Sequence, residues 1–199
     1  MTAAGRARCA VRLAHHARRA AAPVTMLVVA LPIITDRLVL RPYEAGDVTE
    51  LHAVVYGDHE AMRLLGGARD MAGTRAAVER SMNQQELDGY SFWAVIERES
   101  GLMAGEAGLF PLAEDRRDIA LGYALGVDFW GRGYATEAGR AVLDEAFGPL
   151  GLERVVAITR ATNFRSRRVL AKLGFIPQGL RHVWGAEQLY YELERSAAR

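Results

Sequence analysis

Between Leu121 and Ala138 the chain reads LGYALGVDFWGRGYATEA, a strand-like stretch that runs into a glycine-bearing turn and then a helix. That order suits one kind of chemistry. The first backbone N–H groups of a helix have no internal partner and point into the preceding loop. With the helix dipole they form an anion site. Gly131 and Gly133 let the backbone approach a phosphate with no Cβ in the way. A pyrophosphate fits the amides from Arg132 to Ala135, and Arg132 can add a charge-assisted bond. A strand-to-helix turn that uses glycine only for its shape reads the same way. The stretch is not a dinucleotide fingerprint, because no acidic-ended βαβ unit follows. It lacks the Gly-Lys-Ser/Thr of a nucleoside-triphosphate loop.

The elements around this turn alternate from Ile33 onward. Leu38-Val39-Leu40 stops at Pro42 and reads as a strand. Asp47 is placed to cap a helix carrying Val48, Leu51, Val54 and Val55. Thr74 is placed to open a polar helix that runs to about Leu87 and ends at Gly89. Three strand candidates follow: Ser91 to Ile96, Met103 to Phe110, and Ile119 to Val127, the last alternating Leu121, Tyr123 and Leu125. The helix after the turn shows Ala138, Val142 and Ala146 on one face and stops at Gly148-Pro149. Val155 to Thr159 is a strand, and Ser166 to Leu173 a helix closed by Gly174. Phe175-Ile176 and Leu189 to Leu193 are the last strands. Consecutive strands mixed with helices predict an α+β sheet, not a βαβ repeat.

The bulk composition excludes several classes. The chain has 199 residues, half of them hydrophobic and a quarter charged, with a net charge of +1. This is a single globular domain with no global field for nucleic acid or an acidic membrane. The one cysteine, Cys9, excludes an internal disulfide framework and fits a reducing, cytoplasmic setting. No apolar run is long enough for a spanning helix. His15, His16, His52, His59 and His182 lack metal-ligand spacing, so no metal is expected. Residues 1–25 are rich in arginine and alanine and read as a disordered tail or a start codon assigned too early, with Met26 as the true start; a transit peptide is the other reading. The domain is placed at 26–199.

The turn resembles the pyrophosphate signature of the GNAT N-acetyltransferases, Gln/Arg-x-x-Gly-x-Gly/Ala, with Gly133 and Ala135 at the small positions and Trp130 in place of Gln or Arg. That departure is shared by the branch that acetylates N-terminal alanine or serine of ribosomal proteins, whose members read Tyr/Trp-Trp-Gly-Lys/Arg-Gly-Tyr-Ala-Thr-Glu-Ala. TDRLVLRP from Thr35 to Pro42, FWAV from Phe92, AGEAGL from Ala104 and LGY from Leu121 resemble the branch's first four strands. NFRSRRVLAKLGF from Asn163 to Phe175 is similar to its Asn-x-x-Ser-x-x-Val-Leu-x-Lys-Leu-Gly-Phe.

The resemblance implies a mixed, mostly antiparallel sheet splayed between its fourth and fifth strands and flanked by helices. It implies acetyl-CoA as cosubstrate in that notch and a primary amine as acceptor, either a peptide N-terminus or a small molecule such as an antibiotic, amino acid or polyamine. An acyl-CoA-binding sensor is the reading from another class. Pantetheine would pair with the edge at Leu125, Gly126 and Val127. Pyrophosphate would sit at Gly131, Arg132, Gly133, Tyr134, Ala135 and Thr136. Asn163 would hold the pantetheine arm, or cap its helix. Arg165, Arg167 and Arg168 would meet the 3′-phosphate, or form a solvated helix face. Many members carry a tyrosine acid where this chain has Leu170, which leaves Ser166 as the donor to the departing thiolate, or as a helix cap. The branch's glutamate before Gly-Tyr is Ala120 here; Glu106, and next Asp118, are candidates for the base, or ordinary surface or strand-edge carboxylates. No nucleic acid or membrane partner is implied, and the chain is expected as a monomer or homodimer.

Overall fold

The computed structural model describes residues 29–113 and 117–197. Its strands are β1 (Ile33–Ile34), β2 (Leu38–Arg41), β3 (Phe92–Glu97), β4 (Met103–Pro111), β5 (Ile119–Leu125), β6 (Arg154–Thr159), β7 (Ile176–Val183) and β8 (Ala186–Glu194). They form one sheet in the order β1-β2-β3-β4-β5-β6-β8-β7. Neighbours are antiparallel except β5 and β6, which run parallel. β5 keeps register with β4 along its whole length, from Ile119 to Leu125. It meets β6 at one registered pair, Ala120 with Val156. The two parallel strands therefore touch near their starts and open toward Leu125 and Thr159. The short β1 precedes the strand that the sequence marks as first, so the splay between fourth and fifth strands falls between β5 and β6.

Alternation sorts the side chains of β5 to two faces. Leu121 and Leu125 join the main core, whose helical wall comes from α4 (Tyr134–Phe147) through Ala138, Val142, Leu143 and Ala146 and from α5 (Phe164–Lys172) through Leu170. Ala124 faces the other way. It packs with α1 (Asp47–Leu51), the π-helical turn His52–Tyr56, α2 (His59–Met62) and α3 (Met71–Asp88) through Leu51, Val55, Met62 and Val78. The second half of that face, around Leu112, Ala120, Val156 and Tyr190, carries its own small core.

Helix starts differ from the sequence reading. Gly46, not Asp47, is the residue before α1. The Asp47 carboxylate is taken instead by the Arg41 guanidinium at 2.7 and 2.8 Å and by the Glu44 N–H at 2.7 Å. α3 begins at Met71, capped by Asp70, which accepts from the Gly73 N–H at 2.7 Å. Thr74 lies buried inside that helix, against His52 Nδ1 at 2.8 Å. The last strands are longer than their apolar stretches. A two-residue turn at Trp184 and Gly185, with φ of 51° and 76°, joins them into one hairpin. The tail at 1–25, Met26 and Cys9 lie outside the described residues.

Candidate active site

A 3₁₀ turn at Val127–Phe129 leads from β5 through Trp130 to the start of α4. Gly131 and Gly133 sit at φ of 75° and 85°, where only glycine is at ease. Gly133 is the N-cap, and its carbonyl accepts from Thr136 and Glu137 at 3.1 and 3.0 Å. The N–H groups of Tyr134 and Ala135 stand at the helix mouth, where geometry gives them no intrahelical acceptor.

The cations beside this mouth are engaged. Arg132 lies 2.5 Å from Glu97, with its guanidinium 4.7 Å from the centre of the Tyr134 ring. Tyr134 also donates to Glu97. Arg37 donates to the Arg132 carbonyl at 2.9 Å and pairs with Glu137 at 2.5 Å. Bonds from Ser100, then Tyr134 and Arg132, hold the Glu97 carboxyl below its usual range. Arg132 and Arg37 thus brace the turn. Amides and helix dipole remain as its anion-attracting groups.

The notch borders this turn. Gly126 donates to the Ala104 carbonyl at 2.9 Å, so Gly126 faces β4 and, by alternation, the polar groups of Leu125 face the open edge. The Leu125 carbonyl accepts the Trp130 indole N–H at 2.8 Å. This explains why tryptophan suits the position where the general signature has Gln or Arg: it ties the turn to the strand. Arg165 of α5 lies 4.2 Å over the same indole and closes the far side. Val127 is exposed beside it.

Asn163 caps α5, accepting from the Ser166 N–H at 3.1 Å. Ser166 is therefore not the cap. Its Oγ lies 3.0 Å from the Tyr123 hydroxyl, which also donates to the Ser166 carbonyl at 3.2 Å. Burial pushes the Tyr123 phenol up. The sequence marked Tyr123 only as an alternating residue of a strand. The signal that finds it is its odd-numbered place on β5, on the side of α5. Leu170, which stands where the resemblance noted above has a tyrosine acid, is buried in the core. Of the three arginines of α5, Arg168 is exposed, while Arg167 donates to the Ala161 carbonyl at 3.2 Å.

Glu106 lies on the opposite face. Tyr43 donates to its Oε2 and Tyr56 to its Oε1, both at 2.6 Å, and the carboxylate is 4% exposed. Burial raises its pKa against those two bonds. Each oxygen that a direct base would use here already accepts a bond from a buried phenol. Asp118 is equally committed, to Arg154 at 2.5 Å and Tyr190 at 2.9 Å.

A cleft of about 720 Å³ opens on the same face, with Leu112, Asp118, Arg181, Val183, Trp184 and Tyr190 among its walls. Trp184 is 67% exposed, and its ring lies 5.9 Å from Phe110, which stacks on Phe92 at 5.3 Å. The two phenylalanines lie on Gly122, where an added Cβ would come within 2.5 Å of Phe92. Among the described residues no group of His, Cys, Asp and Glu is placed to hold a metal ion, and no helix is long and apolar enough to cross a membrane.

An open sheet with a parallel notch and a glycine turn at a helix mouth is the architecture of an acetyl-CoA-dependent acyltransferase family, and a family match bears this out. Residues 37–176 match the acetyltransferase (GNAT) domain, and the chain belongs to that family. YoaA of Bacillus subtilis, described as an uncharacterized N-acetyltransferase, is 31% identical over 75% of this chain and 85% of its own. YdaF of Bacillus subtilis, described as a putative ribosomal N-acetyltransferase, is 33% identical over 40% of this chain and 43% of its own. The crystal structure of an acetyltransferase from Agrobacterium tumefaciens superposes with a TM-score of 0.74 at 26% identity, covering 83% of this chain and 95% of that one.

Proposed function

We propose that the protein transfers the acetyl group of acetyl-CoA to a primary amine, with a protein N-terminal α-amine as acceptor. The observation that carries the reading is the single Ala120–Val156 pair between β5 and β6, which opens the sheet beside a helix mouth. The pyrophosphate is held by the amides of Gly131 to Ala135, and Thr136 completes that turn. The pantetheine runs along Leu125, Gly126 and Val127 toward Asn163 and Ser166. Arg168, exposed on α5, meets the 3′-phosphate.

The amine enters by the cleft under Trp184 and reaches the thioester as a free base. The amine nitrogen attacks the carbonyl carbon, the carbon–sulfur bond breaks, and the Ser166 hydroxyl protonates the thiolate. The proton lost by the amine leaves to water in the open cleft. A second acceptor class, a small amine, is favoured by the cleft's 720 Å³, within the range of small-molecule sites. Supply of acetyl-CoA sets the compartment, and the cytoplasm is the one proposed. The chain acts as a monomer or homodimer.

Thiol release from acetyl-CoA, measured with Ala- and Ser-starting peptides and with a panel of amine drugs, amino acids and polyamines, tests the reading. Turnover with peptides supports it, and turnover with small amines alone moves the acceptor to the second class. Tight acetyl-CoA binding without turnover on any amine overturns it in favour of a sensor.

A further inference from the structure

A serine hydroxyl is by itself a poor proton donor, because the alkoxide left behind is far more basic than a thiolate. A thiol such as cysteine's titrates near 8.5 and a phenol near 10. Burial raises the Tyr123 phenol above that ordinary value, yet its phenolate is still less basic than a serine alkoxide, so the phenol is the better proton source of the two. In this chain the serine does not stand alone. Tyr123 Oη is 3.0 Å from Ser166 Oγ. The two residues come from opposite sides of the notch, Tyr123 from β5 and Ser166 from the first turn of α5. The Asn163 bond to the Ser166 N–H fixes that turn. The hydroxyl pair therefore lies where the sheet opens.

Two arrangements of the hydroxyl protons are possible. With Tyr123 donating to the Ser166 carbonyl at 3.2 Å, the serine proton points back at the phenol and is unavailable. With Tyr123 donating to Oγ, the serine proton is released toward the notch. A thiolate forming there favours the second arrangement, because hydrogen bonds in a chain polarise one another.

We propose that Tyr123 is a positioning residue for Ser166: its hydroxyl turns the serine proton toward the leaving sulfur and supplies the replacement proton. This rests on Ser166 being the donor to the thiolate. The steps balance. The sulfur takes the Ser166 proton, Oγ takes the Tyr123 proton, and the phenolate recovers a proton equivalent to the one lost by the amine, through water. It also accounts for how a chain with leucine at position 170 keeps a phenol in its proton path.

The test is a double-mutant cycle on the full chain with saturating amine. Ser166→Ala, Tyr123→Phe and the double variant are compared for kcat, for acetyl-CoA KM and for melting temperature. Tyr123→Phe removes one oxygen and keeps the ring in the core. It should lower kcat roughly 10- to 100-fold, up to the lower end of the range for positioned acid–base groups, because the serine still donates. Acetyl-CoA KM should change less than about threefold, which a collapsed notch would not allow. The double variant should be no slower than Ser166→Ala, because Tyr123 acts only through that serine. The proton inventory of the wild-type enzyme in H₂O/D₂O mixtures should curve, with two protons in flight, and become linear in Tyr123→Phe. A slow Ser166→Ala beside a normal Tyr123→Phe overturns this inference and leaves the serine acid standing. Multiplicative losses in the double variant, or a linear wild-type inventory, also overturn it. A normal Ser166→Ala overturns the serine acid itself, and with it the relay.

Discussion

Glu106→Gln separates the electrostatic cost of the buried carboxylate from everything else in the fold. The glutamate sits between Tyr43 and Tyr56, with its carboxyl pKa raised by burial. Below its ordinary value both the folded and unfolded chains carry the proton, and the group contributes no pH dependence. As pH rises past that value the unfolded chain ionises first, while the folded chain holds its proton. Stability then falls with pH until the raised pKa is passed. The slope in that window is at most about 1.4 kcal/mol per pH unit. For a chain of this size that corresponds to roughly 3–6 °C of melting temperature per pH unit. Asp47, Glu97 and Glu137 have lowered pKa values and give the opposite slope, but they are common to both proteins and cancel in the difference. A glutamine at 106 has no proton to lose. Its carbonyl accepts one phenol and its amide N–H donates to the other, so the pair of contacts survives. Melting temperatures from pH 4 to 8 should therefore run together at the acid end and separate as pH rises, with the variant the more stable. Parallel curves, or a variant that loses ground as pH rises, would refute the reasoning, since the carboxyl would then be ionised at no cost.

Gly133→Asp places a carboxylate at the helix mouth in a left-handed conformation, φ of 85°, that costs a non-glycine residue about 1–2 kcal/mol, so the melting temperature should fall by several degrees while the protein stays folded at 25 °C. A like charge about 4 Å from a phosphate repels by about 4 kcal/mol near a protein surface, so calorimetry should show acetyl-CoA affinity lower by roughly three orders of magnitude. Unchanged affinity would reject the pyrophosphate position. Gly108→Ala would put a Cβ within 2.0 Å of the Ser91 carbonyl oxygen, backbone that cannot swing aside, so chemical denaturation should show a loss of about 1–3 kcal/mol or more. A variant as stable as wild type would mean that β3 and β4 are not paired as described.

The sheet and both catalytic-face helices were legible because their patterns are local. Leu121, Tyr123 and Leu125 alternate, and Ala138, Val142 and Ala146 recur at helical spacing. The glycine turn was legible for the same reason, as two left-handed glycines before an apolar helix. What escaped depends on partners distant in sequence. Asp47 looks like a cap until Arg41 claims it. Glu106 looks like a free base until Tyr43 and Tyr56, 63 and 50 positions away, close over it. Arg132 has Glu97 2.5 Å away, a partner that its place in the turn does not reveal. Charge and spacing do not reveal which polar groups are already satisfied, and that decides whether a side chain can act.

The two faces of the sheet meet at β5, and the order of its residues explains how. Tyr123 turns toward α5 and the notch, where its hydroxyl meets Ser166. Gly122, one position earlier, turns to the cleft side, where the Phe92–Phe110 stack rests directly on its backbone. A side chain at 122 would lift those rings into the space beneath Trp184. One strand thus carries the Tyr123–Ser166 hydroxyl pair on one side and the Phe92–Phe110 stack on the other. The strands part beyond the Ala120–Val156 pair, toward Leu125 and Thr159. In the proposed reaction the amine nitrogen and the sulfur are bonded to the same carbon in the tetrahedral intermediate, so the thioester carbonyl has to lie where the strands part, within reach of both faces of β5.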